Sequence, residues 1–539
     1  MQSSVQAFEP VFLAGVTLGR KPDMMTRSRP LLLLAAIVFL AAILRLSFLD
    51  LMEFKNDEVA GIVLARGALR DGLSREGMAG MMSGAGIRNP PGFVYLLLPV
   101  AAFTASPLPY AYWVAAFGVA AVLLLFLIGR ELGAPAAGFW AAALLAAHPW
   151  HILYSRKIWA QSLLPFFVLL LLLVVARCER VNKSRAAVWA GILASLIWQI
   201  HYSGYCVLPF LALWLLVSAA RRRLNCLFAG GGIVLGAAIL VPYALYLQRT
   251  GGADLFRSFS GPWFGGPAAM ENLGKILRGF AATAFSGGFG YPFTSALSPL
   301  SRTPLGEGSP GISAAASVAP FLILALAAAG TFAFFRRKAA PVLAGFVPWL
   351  VLFVLAPPVL YFIRGIEAPP HYFLVSFPAV LFLAGSGMET ISSALAKRGL
   401  SAGGKGNGRF AGVALVSGAA ILGMLVVFTG VSVWKAFIVR VGTAEGTGGD
   451  YGLTYRVQER AVRALIEERV AEVDASLLRD EGIGIRYLLD LRRDDCRPDP
   501  AVRARLIDTL LFPGRKCSTY RGETVGRRVG PISICLSGR

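Results

Sequence analysis

The sequence is a succession of apolar runs, each close to the length that crosses a bilayer, separated by short basic clusters. A membrane-crossing helix needs ~20 mostly apolar residues. Eleven stretches reach or approach that length: 31–49, 109–128, 134–152, 158–176, 187–200, 206–220, 227–247, 313–335, 341–362, 372–391 and 410–434. Over 539 residues the chain is 56% hydrophobic and only 15% charged, so an all-α polytopic membrane protein is the first inference. A twelfth run, "PPGFVYLLLPVAAFTA" at 90–105, is short and opens with two prolines. The formal charge of +22 would suit nucleic acid, but the Arg and Lys residues gather between apolar runs, where they set topology. Nucleic acid is not an expected partner.

The positive-inside rule threads the runs. With a cytoplasmic N-terminus and a twelfth run that does not cross, six basic clusters share one side. They begin at Arg27, Arg130, Arg177, Arg221, Arg336 and Lys397. Counting 90–105 as a span would send the later clusters outside, so it reads as a helix lying in the outer interface. The expected organisation is a cytoplasmic segment 1–30, a transmembrane domain 31–440 with outer loops 50–108 and 248–312, and an outer C-terminal domain 441–539 of small α/β type. In that tail "YRVQERAVRALIEERVAEV" has helical spacing, and "IGIRYLLDL" could be a strand. No cleavable signal precedes Leu31, and "MMTRSRP" offers Met24 or Met25 as a later start.

Of the six cysteines, Cys178, Cys206 and Cys226 lie in or beside apolar runs and none has zinc-ligand spacing. Cys496, Cys517 and Cys535 in the polar tail allow one disulfide in an oxidising compartment, in any of three pairings.

Against this background some charges stand on the wrong side. Asp57 and Glu58 follow the first span. Arg156 and Lys157 sit in a very short outer turn, Arg364 in another, and Arg88 at the start of the interfacial run. Cations in short outer loops oppose topology, and an anionic ligand at the outer surface would favour them; Arg suits phosphate through paired hydrogen bonds. His148, His151, His201 and His371 all fall near outer span ends. "HPWH" has i, i+3 spacing, but Pro149 interrupts a metal-binding helix face. Outward carboxylates beside cations at phosphate depth fit sugar transfer from a polyprenyl phosphate. A carboxylate takes the acceptor's proton, and cations stabilise the leaving phosphate. No nucleotide-binding glycine loop is present. A transporter or flippase of lipid-linked saccharide is the alternative, and its polar residues would be expected near the midplane; an inactive scaffold is a third reading.

The sequence resembles the membrane-embedded GT-C glycosyltransferases, family 39 branch, which contains protein O-mannosyltransferases and bacterial lipid A aminoarabinose transferases. The resemblance rests on "NDEVA", "NPPGFVYLLL", the stretch from "GRELGAPAAGFW" to "YSRKIWAQSLLPFF", and the late "PPHYFLVSFP". It implies a bacterial inner-membrane transferase with a periplasmic active site and C-terminus, using a donor sugar on undecaprenyl phosphate and inverting its anomeric carbon. Asp57 would be the general base, and Glu58 would orient the acceptor or bind a divalent cation, the one cofactor envisaged. Arg88, Arg156, Lys157 and Arg364 would meet the donor phosphate, with Tyr154, His371 and Tyr372 lining the site. Where many relatives read Arg-Tyr before the late Pro, this chain has His371-Tyr372. The acceptor, whether lipid, glycan or protein, is not specified by these residues.

Overall fold

In the computed structural model of the chain, every one of the eleven runs is helical, and proline and histidine mark where the helices break. The structure describes residues 24–72, 75–83, 87–181, 184–221, 226–252, 256, 269–284, 310–336, 341–365, 368–401, 407–446, 451–478, 480–492, 498–508, 517 and 524–537. Cys496 and the Gly/Ser/Pro-rich parts of 248–312 lie outside the described residues.

Among the described residues, Pro107–Glu131, Ala160–Val181, Tyr202–Ala220, Gly345–Ile363 and Ile421–Ala444 are each long and apolar enough to cross a membrane. The pair Leu227–Ala238 and Val241–Arg249, bent by 53°, makes a sixth if the two helices form one broken span. The protein is a multi-pass membrane protein. Other runs give shorter apolar helices, among them Leu31–Leu46, Pro135–Ala146 and Ala187–Ile200. The twelfth run yields only Gly92–Ala101. At 1.5 Å per residue that helix is about 15 Å long, half the ~30 Å hydrocarbon core. Its length suits an interfacial helix.

The third run divides into Pro135–Ala146 and Pro149–Tyr154. Pro149 has no N–H to continue the first helix but suits the first turn of a second, and His148 caps it, Nδ1 accepting the His151 N–H at 3.4 Å. Small residues let neighbouring helices touch. A Cβ on Gly129 would stand 2.5 Å from the Cα of Gly138 in the next helix, and one on Gly330 would stand 2.1 Å from the Leu383 carbonyl. Such contacts drive association where lipid removes the hydrophobic incentive.

The polar tail holds the helices Tyr455–Glu467 and Glu481–Leu491 and a four-stranded sheet. Its strands are β1 (Val470–Asp474), β2 (Asp499–Asp508), β3 (Thr524–Val529) and β4 (Ile532–Ser537), in the order β1-β2-β4-β3. β1 and β2 are parallel, so a crossover must join them, and Glu481–Leu491 lies within it. "IGIRYLLDL" is therefore helix, not strand. Its Ile485 and Leu488 share a buried face, and Gly482 and Gly484 allow close approach to Ala475, Phe54 and Gln458. The helix expected across "YRVQERAVRALIEERVAEV" stops at Glu467, and after Arg469, at φ 55°, "VAEVD" becomes β1. Cys517 and Cys535 form the disulfide.

Candidate active site

The site begins where the first span ends. After Met24–Leu46 the chain turns through Phe48, whose φ of 53° lies in the left-handed region. It then runs through Asp50 and Glu53 into the helix Asn56–Asp71. Asp57 and Glu58 occupy that helix's first turn, where the positive end of the macrodipole favours carboxylates. Glu58 is fully buried, and its Oε2 accepts the Lys55 N–H at 3.1 Å, closing the helix N-terminus. Asp57 is only part-buried and makes no ion pair among the described residues.

Glu53, four residues before Asp57, completes the cluster. It is buried and forms ion pairs with both Lys55 and Lys157; the Lys157 Nζ is also 3.9 Å from Glu58 Oε1. Three carboxylates and two ammonium groups thus share one pocket. Burial, and then the Glu53 charge, push the Glu58 carboxyl up to about 8 against the pull of Lys157. Glu58 is therefore the member that holds a proton near neutral pH. Burial also raises Asp57, opposed by Lys157. Sequence reasoning passed over Glu53 as a loop residue. The signal was present in "EFKNDE", where three acids and a lysine fall within six residues.

Lys157 connects the acids to an aromatic wall. Its Nζ lies 3.4 Å from the Trp159 ring centroid, a cation–π contact. Trp159 meets His371 edge-on at 5.2 Å, Tyr154 lies 6.2 Å from both rings, and His371 adjoins Tyr372 at 4.9 Å. Tyr372 continues to His201 at 5.6 Å. Sequence-predicted Lys157, Tyr154, His371 and Tyr372 are thus brought together. Arg364 joins through intermediaries: its charge acts on Tyr205, which packs on Tyr361, whose hydroxyl donates to the Tyr372 carbonyl at 3.1 Å.

Arg156 and Arg88 are placed differently. The buried Arg156 guanidinium donates to the carbonyls of Arg45 (2.9 Å), Ser47 (2.7 Å) and Phe48 (2.5 Å) and lies 5.2 Å from the Trp434 ring centroid. It is a cap on the C-terminal end of the first span, where orphan carbonyls need donors. Arg45 does the same for the helix Pro135–Ala146, donating to Leu145 and Ala146 at 2.9 Å each and to His151 Nδ1 at 2.6 Å. Because Arg only donates, His151 Nδ1 is the acceptor. A helix end accounts for Arg156 in its short turn. Arg88 donates to the Gly80 carbonyl at 3.4 Å, and its own carbonyl accepts from the Tyr202 and Tyr243 hydroxyls. No contact among the described residues joins Arg88 to the acidic cluster.

A divalent cation at this cluster would have to displace an ammonium group. Both Glu53 oxygens already face ammonium groups, and Glu58 faces the Lys55 amide and Lys157. Among the described residues no three His, Cys, Asp or Glu side chains form a group able to hold a metal ion.

This arrangement of helices and a small C-terminal sheet is that of a GT-C membrane fold, shared with the solved structures that the chain resembles. The chain is similar to ArnT from Cupriavidus metallidurans, solved in the apo state (TM-score 0.54, 14% identity, 95% of this chain and 98% of that one). It is similar to ArnT bound to undecaprenyl phosphate (0.51, 12%, 95% and 98%). It also resembles the archaeal oligosaccharyltransferase AglB from Archaeoglobus fulgidus in complex with an inhibitory peptide and a dolichol-phosphate (0.51, 14%, 87% and 64%). No protein-family model and no curated protein matches the chain in sequence.

Proposed function

We propose that the protein transfers a sugar from a polyprenyl-phosphate donor to an acceptor hydroxyl at the periplasmic face of a bacterial inner membrane. The observation that carries this reading is the position of Asp57. It is a carboxylate left without an ion pair among the described residues, beside a buried lysine and an aromatic wall, just past the first span. ArnT with bound undecaprenyl phosphate and AglB with dolichol-phosphate have the same fold, which supports a lipid-phosphate ligand here.

In this reading the acceptor oxygen attacks the anomeric carbon, the carbon–oxygen bond to phosphate breaks, and configuration inverts. Asp57 takes the acceptor's proton and polyprenyl phosphate leaves. Lys157 has three N–H donors, and its pairing with Glu53 leaves others for the departing phosphate. Glu53 holds Lys157 in place through their ion pair. Glu58 closes the helix that presents Asp57. Tyr154, Trp159, His371 and Tyr372 offer ring faces to the sugar, and Arg364 lies behind them as a further donor to phosphate.

The test is release and transfer of sugar from radiolabelled polyprenyl-phosphate donors, using membranes that carry the wild type or Asp57→Asn. Losing a positioned general base costs about 10²–10⁴-fold in rate, so the variant should insert normally and fall by that factor. Normal turnover by Asp57→Asn would remove it from the role. The Lys157→Met variant should lower kcat more than it raises the donor KM, because charge develops on the departing phosphate in the transition state; an unchanged kcat would remove Lys157 from the phosphate.

A further inference from the structure

The segment after the last span, "YGLTYRVQ" at 451–458, lies against the candidate site and meets the backbone of the first loop at several points. The Tyr451 hydroxyl donates to the Leu51 carbonyl at 2.7 Å. The Tyr455 N–H donates to Met52 at 2.9 Å, and Gln458 Nε2 donates to Phe54 at 2.5 Å. Between these, Thr454 pairs with Glu53 as an isolated antiparallel bridge. Arg456 holds the Asp50 carboxylate at 2.5 Å. The Phe54 ring is met edge-on by Tyr455 at 5.6 Å and by Tyr487 at 6.1 Å. Residues 50–54 are thus fixed one by one from a segment some 400 positions later in the chain, and they carry Glu53 and lead directly into the turn that presents Asp57.

Gln458 is fully buried, and Gly484 of the helix Glu481–Leu491 lies against it and against Phe54. A Cβ on Gly484 would stand 2.3 Å from Gln458 Oε1 and 3.0 Å from the Phe54 carbonyl. The helix Tyr455–Glu467 also directs its N-terminal end at the acidic loop, with Thr454 as its cap. Two independent layers of the C-terminal region therefore converge on the same five residues.

We propose that residues 451–458 are a positioning element of the active site. They hold residues 50–54 in the one register that sets Glu53 on Lys157 and aims Asp57 at the acceptor. Tyr451 and Gln458 are positioning residues that act through the first loop. The effect on catalysis rests on the glycosyl-transfer reading; the clamp itself does not.

The experiment uses the full-length protein in nanodiscs with three variants. Tyr451→Phe removes one hydroxyl, Gln458→Met keeps the volume and loses the donor, and Gly484→Ala wedges the crossover helix away. Hydrogen exchange of the peptide covering residues 50–59 should quicken about five-fold for each hydrogen bond lost, while the membrane helices exchange as in the wild type. With a polyprenyl-phosphate sugar as probe, kcat should fall about 10- to 100-fold, the range expected for a misplaced catalytic group, and the donor KM should stay within about two-fold. Unchanged exchange in all three variants would overturn the clamp. Faster exchange with unchanged kcat would overturn the positioning role. If the wild type transfers no sugar from any such donor, the glycosyl-transfer reading fails alone, and the exchange measurement still decides whether the clamp exists.

Discussion

At the residue scale, the cluster around Glu53 is governed by how many charges one buried pocket can hold. Two ammonium groups balance two carboxylates, and the third carboxylate is kept neutral by burial. That member is Glu58, whose pKa rises from 4.5 to about 8. A carboxyl that holds its proton more tightly when folded binds more protons in the native state between those two values. Its contribution to stability therefore declines as pH rises across that window. Thermal midpoints in detergent should fall from about pH 5 to about pH 8 in the wild type, and Glu58→Gln should flatten the fall while keeping an oxygen for the Lys55 N–H. An equal slope in the variant would assign the titration elsewhere. Burial raises Asp57 in the same direction. Since a base works only when deprotonated, the acid limb of the rate profile should lie above the ordinary Asp range of ~3.9. A limb at the ordinary value would place the base outside this pocket.

At the element scale, the two buried arginines act on helix ends. Removing the Arg156 side chain takes a donor from the Arg45, Ser47 and Phe48 carbonyls, the last of which still accepts the Leu51 N–H, and empties buried space beside Trp434; a buried polar group left without its partner costs about 1–3 kcal/mol. Arg156→Ala should accordingly lower stability by several kcal/mol, seen as a reduced thermal midpoint, with donor affinity unchanged in the protein that stays folded. A selective loss of donor affinity at full stability would return Arg156 to the phosphate. This contrast marks what sequence can reveal. The helices were legible because a membrane-length apolar run leaves few alternatives, although among the described residues only five or six of the eleven runs give helices long and apolar enough to cross. The short helix of the twelfth run agrees with the charge bookkeeping, and Asp57, Lys157, His371 and Tyr372 were singled out by their placement at the ends of apolar runs. The partners of Arg156, and those of Tyr451 and Gln458, were not legible. They are backbone carbonyls, identical for every residue type, so no letter records which arginine will find them. Glu53 carried a local signal in "EFKNDE", but its ion pair with Lys157, more than a hundred residues away, could not be read from it.

On the scale of the whole molecule, the C-terminal sheet and the helix bundle meet through the first loop, so local stability of the tail should be separable from that of the spans. The Cys517–Cys535 bond closes a loop over a separation of 18 residues, for which chain entropy gives about 3 kcal/mol. Cys517→Ser with Cys535→Ser should open the sheet to proteolysis while leaving the spans protected; equal loss in both would show them to be one cooperative unit. Arg45 carries a different kind of consequence, one of timing. Its acceptors Leu145 and Ala146 lie 100 and 101 residues downstream. At ~5–20 residues per second of synthesis, the first span waits roughly 5–20 s for the helix it must cap. During that interval the guanidinium can only reach back to its own turn or snorkel to the interface. The first span is therefore made well before the carbonyls that its Arg45 serves in the folded chain.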